Sequence, residues 1–405
     1  MTAPSFGSRY TCTLLALAMA ALLARADDTV APKAKPIEPT VAPADAPPAT
    51  PVAPQAQPVE PKAEPVLSPG LTSDDIDRVN QSAQGLAGRK SGAAWESTKE
   101  WKEYAGDLDS KWAYLSRIRL NAMKTWGASA LGSLRDKTNV IYYPFSGPDA
   151  LYVDTLFHDS KTVIMAGLEP VGTMPDLAKL EKDGRLGAYL EDVQKSLYTI
   201  LTASFFKTKD MKNDFNNQLV DGLMPAMIVF LARQGYHIDD LQFVTLAHDG
   251  TLHPRGQASG APGVQVTYGD GRKMLYFQAN ISNDGLKSNP GFVRLMERLT
   301  PGITYLKAAS YLCYEDYFST IRDAILANSV GVVEDDSGIP FKDFKLSQWD
   351  VIPYGDYTGP IGLFHEHDQA DLHEYYKKTP HEQLHFGSGY KFAASVSSLL
   401  VAKKK

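Results

Sequence analysis

Apolar residues in this chain occur both as short strand-like runs and at helical spacings, a pattern that predicts a mixed α/β fold. Residues 139–172 contain a strand over residues 140–145, a Ser-Gly-Pro-Asp turn, a short helix and a second strand over residues 162–168. This order within so few residues is typical of a parallel βαβ unit. Both strands end beside polar residues, at the edge where open α/β sheets bind ligands.

The same patterns continue on both sides of this unit. Predicted helices cover residues 73–86, 108–131, 186–206, 214–233, 291–299 and 310–328, and predicted strands cover residues 241–246, 303–306, 330–333 and 349–354. Gly269-Asp270-Gly271 predicts the turn of a β-hairpin between residues 264–268 and 274–279. We therefore expect one globular α/β domain over residues 72–405, with an α-helical N-terminal part and a central sheet. A mixed α+β arrangement is the alternative.

The N-terminal pattern is that of an exported protein. Arg9 precedes a short apolar run over residues 14–23, and Ala24-Arg25-Ala26 has the small-x-small form of a signal-peptidase site. These features predict a signal peptide over residues 1–26, a mature chain that begins at Asp27, and a location in the periplasm or cell envelope. Residues 27–71 hold 12 of the 26 prolines and are predicted to be a disordered Pro/Ala-rich linker.

Charge and composition exclude two classes of partner. Cleavage of the signal peptide removes Arg9 and Arg25 and no acidic residue, which takes the formal net charge from −6 to −8. A chain of that sign is a poor candidate for nucleic acid. No later run approaches the roughly 18 apolar residues that a membrane span needs. With 43% hydrophobic residues the chain can bury a sizeable core. The two kinds of partner left open are an envelope component and a small-molecule ligand.

Four carboxylates follow predicted strands. Asp149, Glu169, Asp335 and Asp336 would converge on one rim if their strands are parallel neighbours. There they could share general acid and base roles or hold a divalent cation. Each has a plainer interpretation. Asp149 stands at capping-box spacing from Ser146 and could only start a helix, and residues 334–338 could form an ordinary acidic turn.

A second candidate site is the motif His381-Glu382-Gln383-Leu384-His385. On a helix beginning at Thr379-Pro380, this spacing would place two imidazoles on one face for zinc. Five of the nine histidines lie between residues 365 and 385, so the spacing arises easily by chance, and no metal-binding side chain follows His385. A metal therefore stays unassigned, with His381, His385 and His373 as weak candidates.

Isolated nucleophiles give weaker signals. Lys307 lies in an apolar context, where it is either tuned for catalysis or simply ion-paired. Ser146 and Ser337 stand in turns, but no G-x-S-x-G motif accompanies them. Cys313 is expected to be a small buried residue. Glycine-rich nucleotide fingerprints are also missing from the sequence, so no cofactor is assigned.

The segments YYPFSGPDALY, GLEPVG, LKAASYL, EDDSGIPF and YGDYTGPIGLF resemble a family of exported bacterial proteins of unassigned activity. The resemblance covers residue 139 to the C-terminus and supplies no reaction, cofactor or catalytic residue. It implies that the carboxylates of SGPD, GLEP and EDDSG belong to the family's common pattern. It also implies that the histidines at 365, 367, 381 and 385 are particular to this chain.

Three hypotheses about function follow. The first is an exported envelope protein with a pocket lined by Asp149, Glu169, Asp335 and Asp336, which could be hydrolytic. The second is a non-catalytic binding or scaffold protein of the envelope, whose proline-rich arm provides reach. The third is a metal-dependent hydrolase that uses the C-terminal histidines. Whether the protein is an enzyme is left open by the sequence.

Overall fold

A ten-stranded mixed sheet forms the centre of the computed structural model, which describes residues 71–205 and 220–405. The strands are β1 (Val140–Tyr143), β2 (Thr162–Gly167), β3 (Ile238–Ala247), β4 (Leu252–Pro254), β5 (Gly260–Tyr268), β6 (Arg272–Gln278), β7 (Gly302–Leu306), β8 (Ser329–Glu334), β9 (Trp349–Gly355) and β10 (Ser398–Lys404). Their order across the sheet is β4-β3-β5-β6-β2-β1-β7-β8-β10-β9. The predicted signal peptide and nearly all of the predicted linker lie outside the described residues.

The middle of the sheet is parallel and its flanks are antiparallel. Strands β6, β2, β1, β7 and β8 run in one direction, and Tyr142 of β1 pairs with Ile164 on one side and Thr304 on the other. The predicted hairpin of β5 and β6 is antiparallel, as are β3, β4, β9 and β10 to their neighbours. The predicted parallel βαβ unit and the mixed α/β fold are thus confirmed.

Helices surround the sheet. They are α1 (Ser73–Leu86), α2 (Lys99–Leu115), α3 (Asn121–Ala130), α4 (Gly132–Arg135), α5 (Ala150–Leu156), α6 (Leu177–Lys182), α7 (Leu186–Thr202), α8 (Met224–Arg233), α9 (Asn283–Ser288), α10 (Gly291–Arg298), α11 (Ser319–Asn328) and α12 (Ala370–Lys378). One π-helical turn, Ser116–Leu120, joins α2 to α3. None of these helices, within the part of the chain that the structure describes, has the length and apolarity to cross a membrane.

Each central strand is buried on both faces. In β1, Ile141 and Tyr143 belong to the core beneath α1–α3, α5, α7 and α8, whereas Tyr142 belongs to the opposite core beneath α9–α12. This arrangement explains the continuous apolar runs in the sequence, since a parallel sheet with helices on both sides leaves no polar face. The architecture is therefore a three-layer sandwich of helices, sheet and helices.

Strands β1 and β7 are parallel neighbours, but the connections that follow them leave to opposite faces of the sheet. After β1 the chain crosses to β2 through α5, which packs into the first core, and after β7 it crosses to β8 through α11, which packs into the second. Neighbouring parallel strands whose connections leave to opposite faces open a crevice at their carboxyl ends. This switch point is the place in the fold where a ligand site is expected.

Several predicted helices differ from the structure. Residues 310–328 begin with two 3₁₀ segments, Ala309–Tyr314 and Asp316–Phe318, before α11. The segment after Thr379 is not helical, because Glu382 instead bridges to Tyr354 and its carbonyl accepts from Gly355 N (2.8 Å) at the edge strand β9. The predicted helix carrying His381 and His385 is therefore wrong. Residues 214–219 of the predicted helix 214–233 lie outside the described residues, and residues 220–223 are not helical, because α8 begins at Met224.

The loop after β2 is held by a close approach of two backbones. The amide of Leu223 donates to Pro170 O (3.1 Å), and that of Thr173 donates to Asp221 O (3.2 Å). Gly172 has a φ of +74°, and a Cβ there would lie 1.7 Å from Asp221 O. Only glycine fits this contact, which fixes the loop that carries Glu169.

We predict that Gly172→Ala destabilises the fold more than a glycine substitution with the same backbone angle in open space. Gly184 is the matched control, because its φ is +66° and no atom lies within 4 Å of the position of an added Cβ. Gly184→Ala should cost about 1–2 kcal/mol for the left-handed conformation alone. Gly172→Ala should cost about 1–3 kcal/mol beyond that, because the backbone must move. Denaturant unfolding measures both, and equal losses would contradict the close contact.

Candidate active site at the strand switch point

A cavity of about 170 Å³ opens at the carboxyl ends of β1, β2, β6 and β7. Its walls come from the residues that follow these strands, including Phe145 and Asp149 after β1, Glu169 after β2, Ala279 after β6, and Lys307 and Ala308 after β7. Most of the lining is apolar or aromatic. The polar groups are few and convergent, as in small-molecule sites.

A buried ion pair spans the switch point. Lys307 directly follows β7, and its Nζ donates to Asp149 Oδ2 and to Ser204 O (2.6 Å). Asp149 is the residue just before α5, and both side chains of the pair are only 2% exposed. Because β1 and β7 are adjacent parallel strands, residues that follow them meet at one edge of the sheet. The pair therefore ties together the ends of the two strands whose connections diverge.

Both carboxylate oxygens of Asp149 accept hydrogen bonds. Tyr143 donates its hydroxyl to Oδ2 (2.8 Å), and the amide of Tyr152 donates to Oδ1 (3.1 Å). The second contact is an N-cap of α5, so the capping interpretation of Asp149 is confirmed. The same carboxylate also pairs with Lys307, so it has two roles. The Tyr152 ring lies under Lys307 Nζ, 3.8 Å from the ring centroid.

Burial sets the ionisation behaviour of this cluster. It lowers the pKa of Lys307, because the ammonium has lost its water, and the negative charge of Asp149 opposes that effect. Burial also raises the pKa of Tyr143 well above its ordinary value, with Asp149 adding to the shift. The phenol therefore keeps its proton and donates a hydrogen bond, whereas the amine gives up its proton more readily than a lysine on the surface would without a partner.

Glu169 lies across the cavity from these groups. The hydroxyl of Tyr276 donates to its carbonyl oxygen (2.9 Å) and lies 3.4 Å from its Oε2. Glycines make room for the carboxylate: a Cβ on Gly167 would lie 2.6 Å from Oε2, and one on Gly147 would lie 3.7 Å from it. Of the four predicted carboxylates, the structure brings Asp149 and Glu169 to one cavity.

The other two predicted carboxylates do not line this cavity; they lie behind the turn after β7. Asp335 Oδ2 accepts from Ala308 N (3.1 Å), and Oδ1 accepts from the amide (2.9 Å) and hydroxyl (2.5 Å) of Ser337. Asp336 Oδ2 accepts from Tyr311 (2.7 Å). Burial raises the pKa of Asp335, and burial together with the charge of Asp335 raises the pKa of Asp336 to about 7. All four carboxylates follow parallel neighbouring strands at the carboxyl edge of the sheet, but only Asp149 and Glu169 line the cavity, so a site shared by all four stays a prediction.

Two cavity residues have a left-handed backbone. Among the described residues, the only ones other than glycine with positive φ are Phe145 (60°), Ala308 (60°) and Asp270 (64°), and the first two line the cavity. Such conformations cost about 1–3 kcal/mol each and gather at functional sites. Hydrogen bonding to Asp335 holds Ala308 in place, and Phe145 packs edge-on against Phe318. The sequence did not predict these positive φ angles, because neither phenylalanine nor alanine is a residue type that favours them.

Other functional side chains were also missed. Arg119 is fully buried and donates to the hydroxyl of Tyr152 (2.7 Å), which completes a polar chain from α2–α3 to the ion pair. An arginine inside the apolar stripe of the predicted helix 108–131 was the available signal. Nothing in the local sequence indicated that Tyr143 would donate to Asp149, because its ring belongs to an ordinary buried strand.

The predicted histidine site does not assemble. His381 donates from Nδ1 to Thr379 O (2.8 Å), and His373 Nε2 lies 2.9 Å from Asp368 Oδ1. Over residues 71–205 and 220–405, no three His, Cys, Asp or Glu side chains are grouped so that they could hold a metal ion. With His381 and His385 on a non-helical segment, the geometry that the zinc motif requires is missing from this part of the chain.

The serine and cysteine candidates are occupied or buried. Ser146 donates to Ala166 O (3.1 Å), and Ser337 donates to Asp335, so neither hydroxyl has a histidine base beside it. Cys313 is fully buried, as expected, and burial raises the pKa of its thiol. Lys307 is consequently the nucleophilic group that the structure places best.

Comparison of the chain with protein-family models and with curated proteins finds no match. The central feature of the cavity is the cluster of Lys307, Asp149 and Tyr143 at the switch point.

We predict that Lys307→Met destabilises the protein by about 3–5 kcal/mol, because it leaves the buried carboxylate of Asp149 without its cation. Adding Asp149→Asn to that variant should recover part of the loss, since the uncompensated charge is removed. Urea unfolding of the wild type, both single variants and the double variant measures the coupling.

Lys342→Met is the control, because Lys342 is exposed and its substitution should change stability by less than about 0.5 kcal/mol. If Lys307→Met and Lys342→Met had the same stability, the ion pair would not be a determinant of the fold.

Proposed function

We propose that the protein is an exported cell-envelope protein that binds a small organic molecule in the cavity at the switch point. The observation that carries the proposal is the cavity itself, built from the ends of four strands around a fixed polar cluster. Rigid strands and saturated hydrogen bonds hold the cluster in one geometry, which is what a preformed binding site requires.

The walls of the cavity favour a ligand with an apolar body. Phe145, Phe318 and Leu312 form part of the lining, and Ala166 and Ala279 leave the open space between them. At about 170 Å³ the cavity is smaller than the ~300–1,000 Å³ typical of sites for drug-sized ligands. The polar groups at one end, Lys307 with Asp149 and Tyr143, would orient the ligand.

A hydrolase is the second candidate, supported by the presence of both Asp149 and Glu169 in one cavity. Two carboxylates in one cavity can divide the general acid and general base roles that hydrolysis requires. Binding ranks first because Asp335 and Asp336, which the hydrolytic hypothesis also used, stand outside the cavity. A purely scaffolding protein with a proline-rich arm needs no cavity. Failure of the wild-type protein to bind any ligand would favour that role.

We predict that filling the cavity abolishes ligand binding without unfolding the protein. Ala279 follows β6, is half-buried and lines the cavity, so Ala279→Phe should occupy the space that an apolar ligand needs. Indole and 4-methylphenol are suitable probes, since they are small and aromatic. Ligand-observed NMR and thermal shift should detect binding to the wild type and none to the variant.

The matched control is Ala370→Phe, an equal change in size at an exposed position at the start of α12. It should bind the probes like the wild type. Equal binding by Ala279→Phe, or no binding by any of the three proteins, would refute the cavity as the ligand site.

We also predict that the mature protein begins at Asp27. Expression of the full chain in a Gram-negative host, followed by fractionation and N-terminal sequencing, should place the protein in the periplasmic or envelope fraction without residues 1–26. Recovery of the uncleaved chain from the cytoplasm would contradict export.

A further inference from the structure

We propose that Lys307 is a covalent binding site for carbonyl compounds: its amine condenses with an aldehyde or ketone held in the cavity and forms an imine. This inference rests on the proposed ligand-binding role of the cavity and names the class of ligand.

The amine is the outstanding nucleophile of the cavity. Among the described residues that line it, Lys307 is the only lysine, and no cysteine or histidine is present. The hydroxyl of Ser146 donates to backbone carbonyls, and Tyr143 donates to Asp149. An amine in a desolvated pocket is the nucleophile that proteins use against carbonyl carbon.

The second requirement, a base in contact with the amine, is also met. Asp149 Oδ2 accepts hydrogen bonds from Lys307 Nζ and from the Tyr143 hydroxyl, and Oδ1 accepts from the amide of Tyr152 in the first turn of α5. Burial lowers the pKa of Lys307, which makes loss of a proton to Asp149 less costly than it would be in water. The pair therefore contains both the latent nucleophile and its proton acceptor.

The condensation balances with these groups alone. One proton passes from the ammonium of Lys307 to Asp149, and the free electron pair on nitrogen then forms a bond to the carbonyl carbon. The carbonyl oxygen receives that proton and becomes the hydroxyl of a carbinolamine. A second proton travels from nitrogen through Asp149 to this hydroxyl, which leaves as water while nitrogen forms the C=N bond. One ammonium and one carbonyl compound give one iminium ion and one water, with no oxidation or reduction.

The product suits the site electrostatically. The iminium ion carries the same single positive charge as the ammonium, so the buried carboxylate of Asp149 is paired with a cation both before and after the reaction. Its remaining N–H can still donate to Asp149, and the face of the Tyr152 ring below Nζ stabilises either cation. The strained turn at Ala308, held by Asp335, fixes the base of the lysine side chain at the cavity wall.

Reductive trapping tests the inference. The full chain is incubated with benzaldehyde and sodium cyanoborohydride, and peptide mass mapping gives the labelling rate of each lysine. We expect Lys307 to be labelled about tenfold faster than exposed Lys342, because an adjacent base and a lowered pKa raise the reactive fraction of the amine. In the Ala279→Phe variant, Lys307 should no longer be labelled fast, and the slower labelling of Lys342 should be unchanged. In the Lys307→Arg variant, the rapidly formed adduct at residue 307 should be absent and the labelling of the other lysines unchanged.

The possible results distinguish failure of the covalent site from failure of the proposed ligand-binding function. Labelling of Lys307 no faster than Lys342, or fast labelling that persists in Ala279→Phe, overturns the covalent site. If indole and 4-methylphenol still bind in an Ala279-dependent manner, the ligand-binding function survives that result and Lys307 is a structural cation. If the probes also fail to bind, both proposals fall.

Discussion

The buried ion pair between Lys307 and Asp149 is the interaction on which the organisation of the site depends. It joins the ends of β1 and β7, the adjacent strands from which the chain departs to opposite faces of the sheet. Burying two charges is costly, and only a full set of hydrogen bonds makes it tolerable. Tyr143, the amide of Tyr152 and the carbonyl of Ser204 complete that set. The polar cluster therefore has one arrangement, and the cavity forms around it.

A second layer of contacts keeps the turn after β7 in its strained conformation. Asp335 accepts from Ala308 and Ser337, and a Cβ on Gly389 would lie only 1.9 Å from its Oδ2. The carboxylates after β8 thus shape the wall that carries Lys307 rather than line the cavity. Because the four carboxylates differ in position and contacts, they favour a preorganised binding site over a cluster of equivalent catalytic carboxylates. The amine of Lys307 is then the most distinctive chemical group of the cavity.

Sequence reasoning succeeded where structure is local. The βαβ unit, the β5–β6 hairpin and the cap of Asp149 on α5 each depend on residues a few positions apart, and each is present. It failed at residues 379–387, where a proline and a capping pattern favour a helix but pairing of Glu382 with β9 provides the backbone hydrogen bonds instead. It also could not tell which of the strand-end carboxylates line the cavity, because strand ends can be predicted but the path of the next turn cannot.

The sequence by itself determined the periodicities that build strands and helices and the acidic net charge, and its N-terminal pattern predicts export. These follow from properties of neighbouring residues and of composition. Only the tertiary structure decided that Asp149 would meet Lys307, that Glu169 would share their cavity and that Phe145 and Ala308 would take left-handed conformations. The reason is physical: strand order and the crossing of each connection set these contacts, and both result from packing over the whole sheet.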